Sequence, residues 1–231
     1  IGICSMKIII GVLSFDGGGY DKMVEACRET CYSDLPENVK VFYLYGHRPG
    51  YPIPSTYAVS GDCFYNNSPE GRVMCLNKTI SFYEYCLENE DFDFLLRANC
   101  GSYIDIEKLL SFIKEHSLNK NTYLGIRGFA GGTEYASGSA YLLSRELVEL
   151  IVKNKDKLLT VGHPEFIMDD VSVGRLLKEN GVSLSDKALR VNATFTDLQE
   201  HDFEKDKSQY HYWFKHTIDP RCFYEVYKEL L

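Results

Sequence analysis

A chain of 231 residues with a formal net charge of −8 suits one large domain or two small ones, and its acidity opposes a phosphate backbone; no stretch gathers the lysines and arginines of a nucleic-acid footprint. Hydrophobic residues at 45%, with 17 tyrosines and 13 phenylalanines, are ample for a packed interior and argue against disorder. No run of about 18 apolar residues is present to span a bilayer, and the eight cysteines show neither a CxxC pair nor a zinc-type grouping with histidine, so reduced, mostly buried thiols are expected.

Ile1 to Ser5 precede Met6 and are expected to be a cloning remnant, with the fold beginning at Met6. Ile8 to Leu13 is a short β-branched run; Asp16-Gly17-Gly18-Gly19 follows, and then the helical spacing Met23, Ala26, Cys27, Thr30. A second apolar strand, Val39 to Tyr45, completes a βαβ unit, which requires a parallel sheet. The glycines do not follow GxGxxG and no acidic residue closes the second strand at Tyr45, so a dinucleotide-dependent oxidoreductase is disfavoured.

The proline-rich stretch 47–71 reads as a long surface loop. Cys75 to Leu87 reads as a helix, Phe92 to Ala98 as a buried strand, Ile106 to His116 as an amphipathic helix and Tyr123 to Arg127 as a further strand. Five glycines between Gly125 and Gly138 read as a loop that feeds, through Ala140 to Leu143, a helix from Arg145 to Lys153. Asp169-Asp170 is expected to cap a helix running to Glu179 and closed by Asn180-Gly181. Strands near Leu189 to Phe195 and Tyr210 to Lys215 follow, and Asp219-Pro220 opens a last helix.

Several of these segments, taken in order, carry a resemblance. Ile8 to Ser14 followed by Ala26-Cys27-Arg28-Glu29-Thr30-Cys31 resembles a strand leading into A-I-R-x-T-W; Asn77-Lys78-Thr79 resembles N-L-T-x-K-T; Phe94-Leu95-Leu96-Arg97-Ala98 resembles F-V-L-K-T. Tyr135 to Arg145 matches Y-x-S-G-x-G-Y-x-L-S-R closely, and Met168 to Gly174 resembles E-D-V-Y-V-G. Together they are similar to the glycosyltransferases of the Fringe and beta-1,3-galactosyltransferase type. That resemblance implies an α/β domain over 6–231 of the GT-A type, a mixed and mostly parallel sheet with helices on both faces, with a donor-binding half to about 116 and an acceptor half from about 117. It implies an inverting enzyme taking a sugar from a nucleoside diphosphate donor, by family habit UDP, to a hydroxyl of a glycan or glycoprotein.

The chain departs from the family where a D-D-D holds a divalent cation: those positions are Asn99-Cys100-Gly101. Dependence on Mn²⁺ or Mg²⁺ is therefore expected to be weak or absent, and Arg97-Ala98-Asn99-Cys100-Gly101-Ser102 is similar to a bacterial and viral variant of the stretch. With no membrane anchor of the Golgi-resident type, a cytoplasmic setting in a bacterium or virus-infected cell is expected. Asp170 is the candidate base, because an inverting transferase needs a carboxylate beside the acceptor hydroxyl, with Asp169 as its neighbour; the bland reading of both is a helix cap. Candidate donor contacts are Ser14, Phe15, Lys78, Arg97, Asn99, Gly101, Ser102 and Lys215. Tyr135, Ser137, Gly138 and Trp213 are candidates for sugar or acceptor, and His211 for a metal. A catalytically silent carbohydrate-binding or scaffold domain is the alternative.

Overall fold

In a computed structural model the chain is described over residues 6–47, 53, 56–71, 74–160, 168–185, 187–188, 190–192, 209–215 and 217–231. The expected remnant 1–5 lies outside these residues. β1 (Ile8–Leu13) is buried along its whole length, as a strand covered on both faces must be. It pairs in parallel with β2 (Val39–His47) on one side and β5 (Phe94–Asn99) on the other. Alternate residues serve two cores. Ile8, Ile10 and Val12 face Met23 and Cys27 of α1 (Tyr20–Glu29), while Ile9 and Leu13 face Ile80 and Phe82 of α2 (Cys75–Asn89). The first core also takes in Leu109 of α3 (Ile106–Glu115), and the second Val148 of α4 (Arg145–Lys153).

The sheet is wider than the sequence suggests. Its seven strands run β3-β4-β2-β1-β5-β8-β7, where β3 (Tyr57–Ser60) and β4 (Cys63–Pro69) form an antiparallel hairpin inside the expected 47–71 loop. Proline density hides this hairpin in the sequence, although Gly61-Asp62 supplies its turn. The glycine-rich stretch also proves to be strand: β7 (Tyr123–Ala130) and β8 (Thr133–Ser144) pair antiparallel about Gly131 and Gly132. Both turn residues take positive φ, 53° and 74°, as a tight hairpin with the twist of its strands requires. Since β5 pairs with β8, the sheet runs unbroken across the boundary expected near residue 116.

A second sheet of three strands, in the order β6-β10-β9, stands beside the first. β6 (Ser102–Ile104) has no forewarning in the sequence; β9 (Val191–Asn192) and β10 (His211–Trp213) are short cores of the two late strands expected there. The rest of the 189–195 expectation lies largely outside the described residues. A short α5 (Lys155–Thr160) follows α4. α6 (Asp169–Glu179) is capped by Met168, not by an aspartate, so both acidic residues fall inside its first turn. Gly181, at φ 75°, does close it. α7 (Arg221–Leu230) begins just after Pro220, where Asp219 Oδ1 accepts from the Arg221 N–H. Among the described residues no helix is long and apolar enough to cross a membrane.

Candidate active site

Parallel strands leave their ligand crevice beyond the carboxyl ends, and here Leu13 and Asn99, register partners at the ends of β1 and β5, border a cleft of about 830 Å³. Its floor is built on Arg97, a guanidinium 2% exposed. Nε stands 2.7 Å from Asp169 Oδ2 and Nη2 donates to Asp169 Oδ1 at 2.9 Å, so the two oxygens of one carboxylate take the Nε–Nη2 edge of the arginine. Thr79 Oγ1 adds a hydrogen bond to Asp169 Oδ2 at 2.9 Å. Arg97 Nη1 donates to Asn99 Oδ1 at 2.6 Å and to the Gly138 carbonyl. Burial pushes the Arg97 pKa down, but the Asp169 carboxylate more than offsets it and holds the pKa above the ordinary arginine value.

Asp170, the next residue along, is held differently. Its Oδ2 accepts from the Gly138 N–H at 2.7 Å and its Oδ1 from the Val171 N–H at 2.9 Å, leaving further lone pairs on both oxygens. Burial, reinforced by the Asp169 charge and only partly countered by Arg97 and the two N–H groups, holds this carboxyl above the usual aspartate range. Two glycines make the arrangement possible. A Cβ on Gly138 would lie 2.9 Å from Asp170 Oδ2, and one on Gly174 would lie 2.4 Å from Tyr135 Cβ, so α6 lies directly on β8 and carries its aspartates into the cleft. The Ser137-Gly138 pair thus sits within a strand, and the missing side chain is filled by Asp170.

Of the candidate residues, Phe15, Asn99, Gly101, Tyr135, Ser137 and Trp213 line the cleft with Arg97, Gly138, Asp169 and Asp170. Ser14, Lys78, Ser102, His211 and Lys215 do not. Lys78 on α2 is fully buried; its Nζ donates to the Ser14 carbonyl at 2.8 Å and to Glu70 Oε2 at 2.9 Å, and lies 4.1 Å from the centre of the Phe15 ring. It therefore fixes the end of β1 and the Phe15 wall from behind. Ser102 Oγ donates to the Ser139 carbonyl at 2.7 Å and meets His211 Nε2 at 3.2 Å. His211 is buried in the small sheet, where burial, with help from Arg190, pulls its pKa down to about 3 and keeps the ring neutral. Lys215 is exposed beyond β10.

Sequence reading misses Asp16, Gly17, Gly18 and Tyr20, which line the mouth, and Met168, Thr217 and Ile218 on its rim. The glycine turn after β1 is their signal, since a loop at the carboxyl end of a parallel strand is where ligands bind. Arg190, whose guanidinium reaches Ser137, Ser139 and Trp213, has no such signal.

Among the described residues no three His, Cys, Asp or Glu side chains converge to hold a metal ion. At the positions of the D-D-D, Asn99 is hydrogen-bonded to Arg97, and burial pushes the Cys100 thiol up to about 12. A hard cation takes oxygen ligands.

No family model matches the chain. It is 27% identical over 125 residues to UDP-GalNAc:beta-1,3-N-acetylgalactosaminyltransferase 2 of Xenopus tropicalis, a match covering 46% of this chain and 25% of that protein. This chain thus matches about a quarter of the length of that curated relative. Among solved structures it superposes on the galactosyltransferase LgtC, crystallised with donor and acceptor sugar analogues, with a TM-score of 0.51 and 10% identity over 97% of this chain and 96% of that one. A glycosyltransferase involved in glycosylation of the major capsid of PBCV-1 gives a TM-score of 0.50 and 10% identity over 96% and 99% of the two chains. The fold is that of the GT-A glycosyltransferases.

Proposed function

We propose that this GT-A chain is an inverting glycosyltransferase that uses a nucleoside diphosphate sugar, UDP-linked, and a glycan hydroxyl as acceptor, with Asp170 as the general base. The observation that carries the reading is the different state of the two aspartates. Arg97 engages both oxygens of Asp169, whereas Asp170 meets only backbone N–H groups and has a raised pKa. A general base works best with its pKa moved toward the working pH. In the step, the acceptor oxygen forms a bond to the anomeric carbon as that carbon's bond to the diphosphate oxygen breaks. The acceptor proton passes to Asp170 and on to water, and the nucleoside diphosphate leaves with the bonding electron pair. The ring of Tyr135, a neighbour of Asp170 across the Gly174 contact, offers a face for the sugar.

The amphibian relative, named for a UDP-GalNAc donor and a beta-1,3 product, supports both the donor class and the stereochemistry. Free cysteines at all seven described positions, six of them buried, support a reducing, cytoplasmic setting. The test is a panel of nucleotide sugars read by thermal stabilisation and by slow donor hydrolysis. Binding at 100 times Kd stabilises a fold by about 2.7 kcal/mol, so a UDP-sugar is expected to raise the melting temperature and release UDP. Stabilisation by free oligosaccharides but by no nucleotide sugar would favour the carbohydrate-binding alternative.

A further inference from the structure

Departure of a nucleoside diphosphate adds negative charge to an already anionic group, and some cation must meet it. On the floor of the cleft Arg97 is committed to Asp169, and Lys78 is committed to Glu70 behind the wall. Arg190 is neither. It immediately precedes β9, whose Val191 is the register partner of Tyr212, so its side chain runs along β10. The guanidinium lies 4.1 Å from the centre of the Trp213 ring, and Nη1 donates to Ser139 Oγ at 2.8 Å and Ser137 Oγ at 3.4 Å. All three of these partners line the cleft. Among the described residues those partners are two hydroxyls and a ring, with no carboxylate, so its charge is held in position without being neutralised.

The position is suggestive as well as the charge. Trp213 is the register partner of Ser102, and the Phe214 N–H donates to the Gly101 carbonyl at 2.9 Å. The strand on which Arg190 stacks thus lies between Arg190 and the end of the turn Asn99-Cys100-Gly101, where a metal-dependent relative of the resembling family would carry its acidic residues, and the Trp213 ring and the Ser137 and Ser139 hydroxyls link the guanidinium to the cleft. Stacking on Trp213 and hydroxyl contacts fix the plane of the guanidinium, which leaves Nε and Nη2 for paired acceptors such as phosphate oxygens.

We propose that Arg190 binds the diphosphate of the donor from the Trp213 wall and supplies the positive charge that a divalent cation would otherwise provide. The inference rests on the nucleotide-sugar reading above. As the bond between the anomeric carbon and the phosphate oxygen breaks, that oxygen gains charge and accepts a stronger hydrogen bond from the guanidinium, while the acceptor proton goes to Asp170.

The probes are UDP and UMP, titrated calorimetrically in chelator against wild type, Arg190→Gln and Arg190→Lys, with thermal melts as a check on folding. Wild type is expected to prefer UDP over UMP without added metal. Arg190→Gln should cut UDP affinity by about 10- to 100-fold, the scale of a lost charged hydrogen bond, and collapse the UDP preference. Arg190→Lys keeps the charge but loses the planar fork, so it should fall between the two. An unchanged UDP preference in Arg190→Gln overturns the proposal. A wild-type UDP preference that appears only with manganese also overturns it, and this arm needs no variant to fold. Failure of wild type to bind either nucleotide under any condition refutes the donor reading itself, a result distinct from the other two.

Discussion

One arginine lines the floor of the cleft and another stacks on Trp213 of its side wall, and the two are held in opposite ways. Arg97 on the floor is buried between β5 and α6 and matched by Asp169, so pair and neighbouring Thr79 form a neutral strut joining α2, β5 and α6. Arg190 beside the wall is stacked on Trp213 and touches hydroxyls, with no acid among its partners in the described residues. The same contrast separates Asp169 from Asp170, adjacent residues in one helical turn. A charge that is fully compensated builds the site, and one that is positioned but left uncompensated is available for chemistry.

The contrast breaks most visibly at the strut. Asp169→Ala leaves the buried Arg97 charge without its partner and is expected to cost about 3 to 5 kcal/mol, measured by denaturant unfolding; the double variant Arg97→Met with Asp169→Leu should recover much of that loss. A smaller effect is expected at the crossing of α6 on β8. Gly174→Ala places a Cβ 2.4 Å from Tyr135 Cβ, and overpacking of this kind costs about 1 to 3 kcal/mol while shifting both aspartates.

The smallest effect is a pH dependence at Asp170. Its pKa is raised in the fold, so the folded state favours the protonated form. The stability it contributes is fully present below about pH 4, the unfolded aspartate value, and is lost as pH rises through the folded pKa. Unfolding curves of wild type and Asp170→Asn, compared across that window, should show wild type losing ground as pH rises. The acid limb of kcat/KM should likewise have its midpoint above the ordinary aspartate value, and a midpoint at or below it would detach the rate from this carboxyl.

Regular parts of the fold are legible in the sequence, because burial on both faces leaves a plain record. The Ile8–Leu13 run reads directly as a central parallel strand, and Arg145–Lys153 is a helix with the bounds its apolar spacing gives. The two hairpins are hidden by residues that also mark loops: prolines before Tyr57, and glycines that in β7 and β8 permit close packing and a tight turn. Among the candidate site residues, Asp170, Arg97, Tyr135 and Trp213 line the cleft. Lys78 does not, because its distant partner Glu70 and the Ser14 carbonyl draw it inward. Arg190 was illegible for the same reason: its neighbours Ser137, Ser139 and Trp213 come from strands remote in the chain, and only the small sheet brings them together.

The most direct test is a paired measurement of UDP-sugar binding and of sugar transfer, with donor hydrolysis as a surrogate, for wild type and Asp170→Asn. Asparagine keeps the shape and one acceptor, so binding is expected to change little while turnover falls by about 10²- to 10⁴-fold, the usual worth of a positioned base. Turnover equal to wild type in a folded, donor-binding Asp170→Asn protein would contradict the assignment of Asp170 as the base.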